Sequence, residues 1–117
     1  MNKRQVGGEY ETKAVLYLEQ QGLKILERNF RCRMGEIDIV AKDGEFVVFT
    51  EVKWRKTSRS GSALQSVDWK KQRTICRTSD YYRMKNFLTE NSPMRFDVIA
   101  IDGDELHWIK NAFAYIP

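Results

Sequence analysis

The sequence predicts a small mixed α/β sandwich, and three observations carry that prediction. Two segments have apolar residues recurring at three and four positions, which is the helical period. Between them lie three consecutive runs rich in β-branched and aromatic residues, with one or two more after the second helix. The chain has 117 residues, 42% of them hydrophobic and 31% charged, so 1–117 is read as one domain with a core of its own.

In chain order, Gly7 to Gln21 reads as the first helix, closed by Gly22 in the position that favours a left-handed cap. Ala14, Tyr17 and Leu18 form its apolar stripe, with Tyr10 and Val15 beside them. Glu11 lies three residues before Ala14 and seven before Leu18, on the same stripe, while Glu9, Lys13 and Gln20 share the wet side. An acid on an inner face has two accounts: a functional carboxylate, or a stripe-edge glutamate satisfied by an arginine. Leu23 to Phe30 alternates as a first strand, followed by Arg31, Cys32 and Arg33.

A hairpin comes next. Ile37, Ile39 and Val40 on one arm and Phe46, Val47, Val48, Phe49 and Val52 on the other have strong β-propensity. Asp43-Gly44 between them is a type I′ turn dipeptide. That turn would set Lys42 opposite Glu45, Val40 opposite Val47, Asp38 opposite Phe49 and Glu36 opposite Glu51. Glu36, Asp38, Glu51 and Lys53 would then share one face, with Asp38 roughly 7–8 Å diagonally from Glu51. A one-residue slip would put Asp38 and Glu51 on opposite faces. Carboxylates at that separation suit Mg²⁺ or Mn²⁺, and a lysine among them can orient water or stabilise negative charge. The structural alternative is an edge hairpin with these side chains in water and Lys53 pairing with an acid.

Lys56 to Ser62 is polar, basic and glycine-containing, and reads as a loop that stays mobile until a ligand orders it. A second helix is expected from about Ser66 to Lys85, with Val67 or Trp69, Ile75, Cys76, Ser79 and Tyr82 at its spacing. Asp68 is placed to cap it, which puts Lys71 and Gln72 in its first turns. Arg95 to Ile101 is a further strand, with Arg95 and Asp97 read as a structural ion pair. Asp102-Gly103 turns it into Leu106 to Ile109, and the tail Asn111 to Ile116 is apolar enough to pack back on the domain.

The net charge of +4 is unevenly spread: Lys53 to Arg77 holds eight basic residues against one acid, Asp68, leaving the remainder at −3. Basic charge beside an acidic hairpin points to a polyanion, although a charge run is more often only a solvated face. No run is long enough to cross a bilayer, and the first residues lack the apolar stretch of a secretory signal. Cys32 and Cys76 are far apart with no zinc-ligand spacing, and His107 is alone. Reduced thiols in a cytoplasmic protein with no membrane partner are expected.

Gly7-x-x-x-Glu11-x-x-Ala14-x-x-Tyr17-Leu18, Gly22, Arg28-Asn29-x-Arg31, Gly35-Glu36-Ile37-Asp38, Phe49-x-Glu51-Val52-Lys53-x-Arg55, Val67 with Lys71, and Arg95-Phe96-Asp97-Val98 together resemble the YraN family. That family is itself uncharacterised and is placed among the restriction-endonuclease-like PD-(D/E)xK nucleases. The arrangement is also similar to archaeal Holliday-junction resolvases. The resemblance implies a three-layer α/β core in the order α-β-β-β-α-β around a central mixed sheet. The proline of the superfamily motif is absent here, since Ile37 precedes Asp38.

The resemblance implies a metal-dependent DNA endonuclease, with branched DNA as a substrate by analogy and a homodimer as an arrangement. Asp38 and Glu51 would hold Mg²⁺ or Mn²⁺, with the Val52 carbonyl as a further ligand and Glu11 reaching in from the helix. Lys53 would orient the attacking water. Arg28, Arg31, Arg33, Arg55, Lys56, Lys70, Lys71 and Gln72 would line the phosphate path, while Glu36 has three readings, a metal helper, a general base or, as preferred here, a supporting acid paired to an arginine such as Arg28. The competing reading is a nucleic-acid-binding module on a nuclease fold that does not cut.

Overall fold

The computed structural model describes residues 3–55, 67–89 and 91–117, with side chains described from residue 7 onward. The elements are α1 (Lys3–Gln20), β1 (Lys24–Cys32), β2 (Gly35–Asp43), β3 (Phe46–Arg55), α2 (Trp69–Lys85), β4 (Met94–Asp102) and β5 (Glu105–Phe113). The strands lie side by side in sequence order, antiparallel except for the parallel pair β3–β4. Parallel neighbours need a crossover, and α2 sits within it. The expected α-β-β-β-α-β order is thus present, with β5 completing the sheet. Lys56 and Ser66 lie outside the described residues, as does the polar loop between them.

Each face of the sheet carries one helix and one apolar layer. Ala14, Val15 and Leu18 of α1 pack with Leu23, Ile39, Ala41, Val48, Val52, Ile99 and Ile101. On the other face Ile75, Cys76 and Tyr82 of α2 pack with Phe30, Ile37, Val40, Val47, Phe49 and Phe96. The second layer is tied by edge-on ring contacts of Tyr82 with Phe30 and Phe49, at centroid separations of 5.1 and 5.6 Å. Burying each such side chain contributes about 1.5–3 kcal/mol. These two layers make the three-layer architecture.

α1 begins before Gly7, so the two glycines lie inside the helix rather than at its start. Gly22 has φ +94°, the left-handed cap that the sequence predicted. Asp68 caps α2 as expected, its side chain accepting the Lys71 backbone N–H at 2.8 Å. The tail packs back on α2: Ile116 N–H donates to Cys76 Sγ at 3.4 Å, and its carbonyl accepts from Arg77 Nη2.

The β2–β3 turn differs from its expected form. Asp43 pairs with Phe46 and Lys42 with Val47, so the loop residues are Gly44 and Glu45. Positive φ occurs at Gly44 alone, at +60°, which fits a type II′ rather than a type I′ turn. Asp43 is held in the strand by Arg95, whose Nη2 donates to Asp43 Oδ2 at 2.8 Å. The turn has moved by one residue on both arms, so the pairing changes by two and the side chains along the paired ladder keep their faces. The ladder runs to Ile39–Thr50, which leaves Asp38 and Glu51 as the next opposed positions.

Gly35 opens β2 at φ +154°, and a Cβ there would stand 2.6 Å from Thr74 Cγ2 and 3.1 Å from Thr78 Oγ1. α2 therefore rides directly on the start of β2. Gly35→Ala is expected to cost about 2–3 kcal/mol, read as a lower urea midpoint. Adding Thr74→Ser, which removes the clashing methyl, should recover part of that loss. A Gly35→Ala protein as stable as wild type would show that the helix does not sit this close.

Candidate active site

The site forms where the alternation of β2 breaks. Ile37 belongs to the core layer under α2 and Ile39 to the layer under α1, although two residues apart they should share a face. Opposite this point on β1, between the pairs Phe30–Ile37 and Arg28–Ile39, Asn29 takes φ +53°. Asp38 lies at the break, just past the end of the β2–β3 ladder. Its Oδ2 accepts the Val52 backbone N–H at 2.8 Å, so a carboxylate occupies a place that a strand carbonyl would otherwise take.

Charged groups reach Asp38 from both helices. Glu11 lies on the inner stripe of α1, with its side chain 10% exposed. Its Oε1 accepts from Asn29 Nδ2 at 2.9 Å and from Arg28 Nε at 3.3 Å. Both accounts of Glu11 are therefore partly realised: it has an arginine partner, and it lines the same cleft as Asp38. Burial and the Asp38 charge raise its pKa, against the opposing effect of Arg28 and Asn29. From the α2 side comes Glu51, whose side chain is 5% exposed, with Lys71 Nζ 3.2 Å from Oε2. This buried oxygen therefore has a counter-charge beside it but no hydrogen bond of ordinary geometry among the described residues.

Asp38 and Glu51 are close enough for their carboxyl groups to hydrogen-bond, which requires a proton between them. Burial first, then that hydrogen bond and the Glu51 charge, push the Asp38 pKa up to about 8, although the Val52 N–H and Lys71 work against the rise. Burial also disfavours the Lys71 charge, but Glu51, with Asp38 and Glu36 behind it, overrides this and raises the lysine's pKa. Two adjacent buried acids held by a proton and a lysine are costly unless some ligand uses them.

The cleft is lined by Gly7, Gly8, Glu11, Asn29, Arg31, Glu36, Asp38, Val52 and Trp54, with a volume of about 330 Å³. Trp54 stacks on Tyr10 of α1 with ring centroids 4.7 Å apart. Among the described residues no three acidic, histidine or cysteine side chains meet as a metal-holding group. The donor set is instead two hard carboxylates, Asp38 and Glu51, beside an orphaned buried oxygen. That set suits Mg²⁺, which commonly takes one or two carboxylates and fills its remaining positions with water and substrate phosphate.

Other expected site residues are placed as follows. Glu36 pairs with Arg31 at 2.9 Å rather than with Arg28, which is committed to Glu11 and Thr12. Lys53 shares the Glu51 side of β3 by alternation but forms no ion pair among the described residues, so Lys71 is the lysine that meets the acids. Gln72 turns away from them, its amide donating to the Val67 carbonyl at 3.2 Å beside Val98 and Phe113. Arg33 and Lys70 are exposed, Arg55 ends β3, and Lys56 lies outside the described residues. Of the aromatics, Tyr82 is core while Trp69 is 62% exposed. Asn29 is part of the quoted Arg28-Asn29-x-Arg31 pattern but carries no expected site role, and its left-handed backbone comes from the fold.

A family model described as "Uncharacterised protein family UPF0102" matches residues 10–101. The chain is 47% identical over 113 residues to a UPF0102 protein of Lachnoclostridium phytofermentans, covering 97% of this chain and 96% of that one. It is 48% identical over 114 residues to one from Aliivibrio fischeri, at 95% and 93% coverage. To one from Pseudomonas fluorescens it is 42% identical over 111 residues, at 93% and 92%.

Proposed function

The chain belongs to the UPF0102 family, and we propose that this member is a metal-dependent nuclease that hydrolyses phosphodiester bonds in DNA, with branched DNA among its substrates. The observation that carries the reading is the buried Asp38–Glu51 pair at the end of the β2–β3 ladder. Apolar residues there would be cheaper for folding, so the acids need a cation to justify them.

Asp38 and Glu51 would hold Mg²⁺ or Mn²⁺, with the Val52 carbonyl as a further donor and Glu11 facing the ion from α1. When bound, the ion supplies Lewis acidity and lowers the pKa of coordinated water. Lys53, two residues along β3 from Glu51, would orient water and stabilise charge developing on the phosphate. Arg28 and Asn29 hold the Glu11 carboxylate in place from β1. Arg31 and Arg55, with Lys70 and Lys71 at the start of α2, would follow the phosphate backbone, which predicts binding that weakens steeply with salt.

Labelled duplex, single-stranded, flap and four-way-junction DNAs, incubated with Mg²⁺, Mn²⁺ or EDTA, test this. Metal-dependent cutting by wild type, lost in Glu51→Ala and Lys53→Ala, is the expected result, and the panel reads out the preferred structure. The pairing of Glu51 with Lys71 and of Glu11 with Arg28, which balances these acids without a metal, favours a second reading, a binding module that does not cut. Salt-sensitive binding without cleavage, unchanged by both substitutions, would establish that reading instead.

A further inference from the structure

We propose that Lys71 is a built-in counter-ion of the acid pair, one that a metal ion must displace and a phosphate group then captures, so that metal and DNA bind cooperatively through it. This rests on the nuclease reading above and goes further by assigning how the two ligands communicate.

The backbone of Lys71 is fixed in the first turn of α2, where its N–H is bonded to the Asp68 cap at 2.8 Å. Its side chain crosses to the sheet and puts Nζ 3.2 Å from Glu51 Oε2, the oxygen left without a hydrogen bond. The side chain remains 32% exposed, so the ammonium has a way out of the pair. A long, flexible stem with a compact charge suits such a movement better than a rigid guanidinium would.

Charge neutrality supplies the coupling. Without metal, Glu51 and Lys71 balance each other. A dication on Asp38 and Glu51 would face an ammonium a few ångströms away, and the other acids lining the cleft, Glu36 and Glu11, are each already bonded to an arginine. Metal alone therefore expels Lys71. A phosphodiester brings the missing negative charge and gives the ammonium a partner beside the ion. Linkage then requires DNA to tighten metal binding and metal to tighten DNA binding by the same factor, which for coupled sites is typically about 5–150-fold.

The test is Mn²⁺ affinity by electron paramagnetic resonance, with and without a nuclease-resistant phosphorothioate four-way junction. Wild type, Lys71→Met, Lys71→Arg and Lys85→Met would be compared, after melting curves confirm that each is folded. In Lys71→Met, Mn²⁺ should bind the free protein about tenfold or more tightly than in wild type, and DNA should no longer improve that affinity. Lys71→Arg should keep the coupling, and Lys85→Met, which removes the same charge at the far end of α2, should behave as wild type. Equal Mn²⁺ affinity and equal coupling in wild type and Lys71→Met would overturn the role of Lys71 and leave the nuclease reading standing. No Mn²⁺ binding in either protein would overturn both. If Lys71→Met fails to fold, Lys71→Gln takes its place, and retained coupling in that variant would likewise overturn the role.

Discussion

Replacing Asp38 with asparagine should abolish cleavage and at the same time stabilise the metal-free protein at pH 8. The amide oxygen can still accept the Val52 N–H, and the amide nitrogen can donate to Glu51, replacing the shared proton with a permanent hydrogen bond. The wild-type protein lacks that device once Asp38 ionises. Its folded pKa of about 8 lies well above the ordinary carboxylate value of 3.8. The folded state therefore holds a proton that the unfolded chain releases between those values, and stability falls as pH rises from about 4 to about 8. Below that window both states are protonated and above it both are ionised, so the contribution is flat at either end.

Thermal melts across pH 5–9 check this. Asp38→Asn should melt a few degrees above wild type at pH 8, equivalent to about 1 kcal/mol, with the gap closing towards pH 5. Mn²⁺ should raise the wild-type melting temperature more at pH 8 than at pH 6, because it competes with the shared proton, and should do little for the variant. Cleavage by the variant should drop by about 10³-fold or more. A variant that melts below wild type at pH 8 would show that the acids are not in conflict and would remove the main support for a cation site.

The largest loss of stability is expected from Asp97→Ala. Asp97 is fully buried on β4. It accepts from Arg95 Nε at 3.0 Å, from Trp108 Nε1 at 3.0 Å and from the Asn111 backbone N–H at 2.9 Å. Those bonds fasten the irregular point in the β4–β5 ladder, where the register shifts between Phe96 and Val98 and Asn111 takes φ +52°. Removing the carboxylate leaves the Arg95 charge, 14% exposed, to Asp43 alone among the described residues, and leaves the Trp108 and Asn111 N–H groups without acceptors. The cost should be about 3–5 kcal/mol, a large part of the 5–15 kcal/mol that holds a typical domain together. Guanidinium melts should show it, with Asp97→Asn losing less because it keeps an acceptor. An Asp97→Ala midpoint within error of wild type would mean that the network adds nothing net.

Residues that act through local pattern were readable in advance. β-Propensity and an Asp-Gly dipeptide marked β2 and β3, the three-and-four spacing put Glu11 on the buried stripe of α1, and Asp68 was legible as a cap because short polar side chains satisfy free helix N–H groups. The Arg95–Asp97 pair was legible too, since residues two apart on a strand share a face. The acid site was legible only as membership: Asp38, Glu51 and Glu11 could be named, but not how they meet.

What the tertiary structure decided depends on partners distant in sequence. The β2–β3 turn sits at Gly44-Glu45 because Arg95, 52 residues further on, keeps Asp43 in the strand. No local turn preference contains that ion pair. Face alternation breaks at Asp38 because Asn29 on β1 adopts a left-handed backbone opposite it, and Lys71 rather than Lys53 meets Glu51 because α2 packs on Gly35. The sequence by itself determined which acids and bases the molecule has and which face each prefers. Packing of the two helices against the sheet decided which of them touch, because close contact between charges is set by ångström distances that only the assembled layers fix.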